Sequence, residues 1–295
     1  MGDLGVAIDG RAPVAQIPAQ ARVAEDGGAS TLWIACHLYL RDPITTAVLA
    51  LTATRRIRVA LMAMSPYSTH PVFIAMAAAT LDEMYPGRVI LSLGTGAPAD
   101  LEAAGITSPK PVATLRETIA LCRTLFAGEE LEFHGEVFRA RGRRLVNAPR
   151  AIPIVVAASR TKMLKLAGEA ADGVLVSAAT SPAFVRVCLD TAMSGRAFRK
   201  LAIVYTRVAP TEQRAIDALR LPTASCCGGR IMRKTSGCRA HRSTRRRSLP
   251  LMRPRTGPRC AVSCRTRSCG DTPPAARPLR SATNSPNIVP SVSTR

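Results

Sequence analysis

A histidine directly after an apolar run, Leu32-Trp33-Ile34-Ala35-Cys36-His37, is the first group in this chain suited to proton chemistry near neutral pH. An imidazole can give or take a proton in that range and so serve a reaction that creates or removes one. A lone histidine can also be purely structural; its place at a strand end is what brings catalysis forward. Gly94-Thr95-Gly96 follows a second apolar run, Val89 to Leu93, and glycines at such a place let a flat ligand approach the backbone. Ser159-Arg160-Thr161-Lys162 opens a helical pattern after a third run. Free N–H groups, a hydroxyl and two cations there suit a phosphate, and an ordinary helix start with solvated charges is the plainer alternative. Ser65-Pro66-Tyr67 and Ser177 are the other polar groups that strand ends would deliver. No metal set is expected, because His70, His134 and Glu132 lack ligand spacing. A phosphate-binding Walker loop and a Gly-x-Ser-x-Gly nucleophile elbow are both missing from the sequence.

The elements that must position these groups alternate. Leu4 to Asp9 reads as a strand buried on both faces, and Pro13 to Glu25 as a helix stopped by Gly27-Gly28. Thr31 to Cys36 is a second strand, and Asp42-Pro43 opens a helix in the preferred order of acid cap and first-turn proline. Ile57 to Met64 is a third strand, His70-Pro71 starts a helix to Met84, and Val89 to Leu93 is a fourth strand. Pro111 to Ala127 is an amphipathic helix, and Glu129 to Arg141 alternates as an antiparallel excursion around His134-Gly135. Strands Ile152–Ala157, Gly173–Ser177 and Leu201–Val208 then alternate with helices Thr161–Ala171 and Pro182–Met193. Strands linked by helices imply a parallel sheet. Seven strands heading toward eight favour an α/β fold of the (β/α)8 barrel type over an open doubly wound sheet, and a barrel carries its active site on the loops after the strand ends.

Composition splits the 295 residues in two. Residues 221–295 carry +15 of the net charge of +21 and six of the nine cysteines, while every Phe, Trp and Tyr lies before them. No basic and apolar leader opens the chain, and no apolar stretch reaches the ~18 residues that span a bilayer. Cys36, Cys122 and Cys188 are scattered, as in a protein of the reducing cytoplasm. A membrane partner is therefore not expected.

Taken in order, these residues resemble the bacterial-luciferase-like oxidoreductases, in the branch that uses the deazaflavin coenzyme F420. The resembling stretches are Leu32 to His37 with Arg41-Asp42-Pro43, Arg55 to Arg58, and Ser65 to Pro71 leading into Ala78 to Glu83. Gly87-Arg88, Leu93 to Gly96, Ile154 to Ala158, Lys162 to Glu169 and Ala171 to Val176 complete the set, over about residues 4–210. The resemblance implies a flavin-like ring at the barrel mouth, hydride transfer at its carbon five, and a small organic substrate. It implies that His37 is the catalytic proton donor or acceptor. It further implies that Cys36, Met62, Ala63, Ser65, Gly94, Thr95, Gly96 and the turn Ser159, Arg160, Thr161, Lys162 hold the cofactor. Met62-Ala63 falls where members often carry a non-prolyl cis peptide. FMN with O2, a monooxygenase, is the alternative cofactor chemistry, and a homodimer is a possible assembly. Cys36 stands in place of the usual aspartate, Ala97-Pro98 where several members place an acid, and Arg160 where a glycine is frequent. A sugar-phosphate or pterin substrate is therefore not carried over.

After Leu219 the pattern stops, which divides the chain into a barrel domain over 1–220, incomplete after about strand seven, and a tail over 221–295. Three readings of the tail compete. It could be a disordered basic segment that binds nucleic acid non-specifically, a metal module on Cys260, Cys264 and Cys269, or a stretch translated out of frame. The cysteine spacings are not those of a zinc ribbon. The out-of-frame reading is favoured, because Ser225 to Leu249 reread with GC-rich codons in a shifted register is apolar and helix-compatible. The product would then be a disordered tail on an inactive chain, with open edges and uncovered apolar surface on strands one and seven.

Overall fold

A computed structural model of the chain describes residues 4–228 other than 194 and 196, all within its first unit, Met1–His241. Seven strands pair in parallel, in the order β1 (Gly5–Ile8), β2 (Thr31–Ala35), β3 (Arg58–Met64), β4 (Val89–Leu93), β7 (Ile154–Ala157), β8 (Gly173–Val176) and β9 (Arg199–Ala202). A separate antiparallel hairpin, β5 (Glu132–His134) with β6 (Arg139–Arg141), is the excursion expected around His134-Gly135. Helices α1 (Ile17–Asp26), α2 (Pro43–Thr52), α3 (Pro71–Met84), α5 (Pro111–Ala127), α6 (Thr161–Ala170) and α7 (Pro182–Thr191) return the chain between parallel strands. The short α4 (Pro98–Ala103) and the closing α8 (Glu212–Gly228) were not expected, and α8 crosses the composition boundary at Leu221. Residues 229–295 lie outside the described residues, and with them the metal, nucleic-acid and out-of-frame readings of the tail.

The sheet is a curled half-barrel, which the two apolar clusters make plain. The larger lies between sheet and helices, with Ile34, Leu61 and Leu91 at its centre. The smaller fills the concave side, where Trp33, Ala60, Ile90, Val155 and Leu175 meet, with Met62 and Leu201 against them. Side chains from alternate positions of neighbouring strands therefore pack the interior as in a barrel. The central strands β2, β4 and β8 are buried throughout.

The two edges behave differently. β1 pairs only with β2, and Val6 remains 39% exposed, so the expectation of a strand buried on both faces is corrected. β9 begins two residues earlier than expected and stops at Ala202; beyond it Val204 and Val208 are 77% and 93% exposed. Both differences have one cause. Among the described residues no strand bridges β1 and β9, so each meets a ladder on one side only.

Carboxylates tie the connections to this frame. Asp42 caps α2 by accepting from the Thr45 amide at 2.7 Å, the start that the Asp-Pro pair predicts. Asp172 accepts from the Ile154 amide at 2.8 Å and from Arg123 at 2.9 Å, which pins the entry of β7. Glu25, at the end of α1, accepts from the amides of Arg55, Arg56 and Ile57 and so sets where β3 begins. Burial raises the pKa of Glu25, but the three amides and the Arg56 charge outweigh it and hold the carboxyl below its ordinary value. Glu117 of α5 accepts from the amides of Glu136, Val137 and Phe138 and holds the hairpin turn. Gly135 is required beside it, since a Cβ there would collide with that carboxylate.

Two consequences can be measured. Glu117→Ala strands three part-buried N–H donors, a loss of about 3 kcal/mol at roughly 1 kcal/mol each. A thermal melt should then fall by roughly 6–12 °C. An unchanged melting temperature would refute the tie. Glu25 binds its proton more weakly folded than unfolded, so its stabilisation is present above the unfolded pKa and is lost as pH falls through the folded one. Glu25→Gln should lower stability at pH 7 and flatten the decline between pH 5 and 3; parallel acid limbs in variant and parent would contradict this.

Candidate active site

Parallel strands joined by helices present all their C-terminal ends on one rim, and the polar groups of interest sit there. The ends of β2, β3 and β4 enclose a cavity of about 720 Å3 that continues between α2 and α3. Five of the sequence-predicted residues line it: Cys36, His37, Ala63, Ser65 and Gly96. Met62 instead packs into the interior cluster, and Gly94, Thr95 and Ser159 to Lys162 lie outside the cavity lining.

His37 is exposed, and its Nδ1 stands 3.8 Å from Asp100 Oδ2. Cys36 is half-buried, with Sγ 3.5 Å from Met64 Sδ and 3.7 Å from the Ile34 carbonyl. Burial pushes its thiol up to about 12, with the Asp42 charge adding to the rise and a hydrogen bond between the thiol and the Met62 backbone opposing it. Cys36 therefore puts a neutral group beside the histidine at any ordinary pH. Tyr39, in the turn closed by the Leu40 amide on the His37 carbonyl, adopts φ 65°, a conformation uncommon for a side chain of that size. Arg41 reaches across the rim to the carbonyls of Gly10 at 3.0 Å and Arg11 at 2.8 Å, and so fixes the β1 loop against the β2 loop.

The Met62–Ala63 peptide is cis, as the resemblance implied. Ser65 is buried, and its Oγ accepts from the Tyr67 amide at 3.3 Å. Gly96, at φ 80°, lies against that hydroxyl: a Cβ there would stand 3.2 Å from Ser65 Oγ. At Gly94 the space for a side chain is taken by Ala63 and Ala157, so packing between strands accounts for this glycine without a ligand.

At the end of β7, Ser159 Oγ accepts from the Ser177 amide at 3.4 Å, a link between neighbouring strand ends. The N-cap residue of α6, Arg160, makes no side-chain capping bond, and the first turn carries no acid. The exposed residues Arg160, Thr161 and Lys162 thus stand at a helix start that bears free N–H groups and positive charge, the setting that suits a phosphate.

Asp100 was missed from sequence, and so was the helix that carries it. The signal was present: Pro98 at the first helical position and an acid in the first turn are start signals, here on only six residues.

The Luciferase-like monooxygenase family profile matches residues 2–253. Over 215 residues the chain is 31% identical to 5,10-methylenetetrahydromethanopterin reductase of Archaeoglobus fulgidus, covering 70% of this chain and 65% of that protein. Over 127 residues it is 37% identical to F420-dependent glucose-6-phosphate dehydrogenase of Gordonia bronchialis, covering 41% of this chain and 38% of that protein. The matches therefore span from under two-fifths to just under two-thirds of these relatives' lengths. Among solved structures, the coenzyme F420 dependent tetrahydromethanopterin reductase of Methanopyrus kandleri superposes with a TM-score of 0.69 at 24% identity, over 76% of this chain and 71% of that one. An FMN complex of the oxygenating constituent of 3,6-diketocamphane monooxygenase from Pseudomonas putida superposes at 0.60 and 19% identity, over 79% and 75%. These two likenesses establish the shared fold. With a profile match over most of its length, the chain belongs to the luciferase-like monooxygenase family.

Proposed function

We propose that this chain is an oxidoreductase that uses coenzyme F420 to move a hydride to or from a small organic substrate. The observation that carries the reading is the 37% identity with a relative named as F420-dependent, over 127 residues. The rim fits such a group. The uncapped start of α6 with Thr161 and Lys162 would take its phosphate, and Cys36, Ala63, Ser65 and Gly96 would flank the ring beside His37. Bound there, the deazaflavin supplies a hydride-accepting or hydride-donating carbon, and the protein supplies orientation and proton handling. His37 gives or takes the accompanying proton, since it is the imidazole that lines the cavity.

The walls bear on the substrate. Arg41 is the only lysine or arginine lining the cavity, with Asp42 and Asp100 as its carboxylates. No surplus positive charge therefore awaits a phosphate-bearing substrate. FMN with O2 is the competing reading, favoured by the fold shared with an FMN-bound monooxygenase.

Fluorescence titration of the full chain with F420 and, separately, with FMN tests the choice. Saturable binding of F420 at least ~10-fold tighter than FMN is expected. His37→Ala should keep F420 binding and lower turnover by about 10²- to 10⁴-fold, the range for loss of a general acid or base. Tighter binding of FMN with O2 consumption would hand the site to the monooxygenase reading, and full turnover by His37→Ala would remove the histidine from the chemistry.

A further inference from the structure

We propose that Asp100 is the positioning residue for His37: it holds the imidazole in the tautomer with its proton on Nδ1, leaving Nε2 to exchange a proton with the substrate. The two side chains come from different elements, the end of β2 and the first turn of α4, yet line one cavity. Nδ1 and Oδ2 are 3.8 Å apart, beyond a direct hydrogen bond and within reach of one after a small side-chain rotation or through a single water. Such catalytic contacts are often long before substrate binds and tighten in the complex. The backbone that carries Asp100 is held in place. Its amide donates to the Ala97 carbonyl at 3.1 Å, and the next residue, Leu101, is buried and anchors the helix.

The other titratable groups lining the cavity are committed or unsuited. The Cys36 thiol stays neutral, Tyr39 is mostly exposed, and Arg41 is turned toward the Gly10 and Arg11 carbonyls. The Asp42 carboxylate accepts from the amide and hydroxyl of Thr45. The Asp100 carboxylate has no partner other than His37 among the described residues. A carboxylate facing one ring nitrogen decides which nitrogen carries the proton, and it balances the charge when the ring is doubly protonated. On oxidation, the hydride of the substrate C–H bond would pass to the deazaflavin carbon of the F420 reading, the proton of the neighbouring O–H or N–H bond goes to Nε2, and the Nδ1 proton stays in place; reduction runs the same transfers backwards.

The catalytic role rests on the F420 reading above, whereas the contact itself does not. The test is nitrogen-15 NMR of the histidine-labelled full chain at pH 8, with the His37 signals identified by their loss in His37→Gln. The parent should show the Nδ1–H tautomer, and Asp100→Asn should move His37 to a population dominated by Nε2–H. In F420-linked turnover, Asp100→Asn should lower kcat by about 10- to 100-fold with KM within about twofold, and Asp100→Glu should recover part of the loss. The same tautomer in parent and Asp100→Asn would overturn the proposal, as would an unchanged kcat in Asp100→Asn. Absence of F420 binding would sink the functional reading alone, because the tautomer measurement needs no cofactor.

Discussion

A parallel strand can be followed by another only after a return crossing, and this requirement governs the rest of the molecule. Each return is a helix or a helix with an excursion, so every strand of the seven-stranded sheet points the same way and the loops after their ends open on one rim. The curl of the sheet brings the ends of β2, β3 and β4 into one cavity, and it sets β7 and the start of α6 further along the rim. A ligand with a flat head and an anionic tail matches that arrangement of a partly apolar cavity and a cationic helix start.

The opposite ends of the strands carry the fastening. Glu25 on the amides of residues 55–57, Asp172 on the Ile154 amide, and Arg88 on the carbonyls of Ile57 and Thr54 all act where strands begin. Many residues of the family-like motifs belong to this end, including Arg55 to Arg58, Gly87-Arg88 and Ala171-Asp172. They hold strand starts in register and leave the far rim free to differ. The edges are where the frame weakens, because among the described residues β1 and β9 each have one neighbour and expose apolar side chains that a closed barrel would cover.

The legible part of the fold was the part set by local pattern. Apolar runs bounded by glycine or proline located every strand of the sheet, and helix starts such as Asp42-Pro43 and His70-Pro71 were read from cap chemistry. β9 was displaced because a stretch rich in β-branched residues, with Ile203, Val204, Thr206 and Val208, continues past the point where the sheet pairs it. β1 was read as buried because its composition suits a covered strand; among the described residues it pairs with β2 alone, which local sequence does not reveal. Glu25 and Glu117 were invisible for a related reason, since their amide partners lie some 30 and 20 residues away. Of the site, His37 with Cys36, Ala63, Ser65 and Gly96 did converge, while Asp100 came in on a helix too short to show a period.

Hydrogen–deuterium exchange of the full chain with and without F420 tests the central claim most directly, because it reports where the cofactor lies rather than whether it binds. The account predicts slowed exchange over residues 36–41, 62–69, 94–100 and 159–164, on the rim, with no change at the strand starts near 54–58. Protection absent from 159–164, or centred on the strand starts, would contradict it.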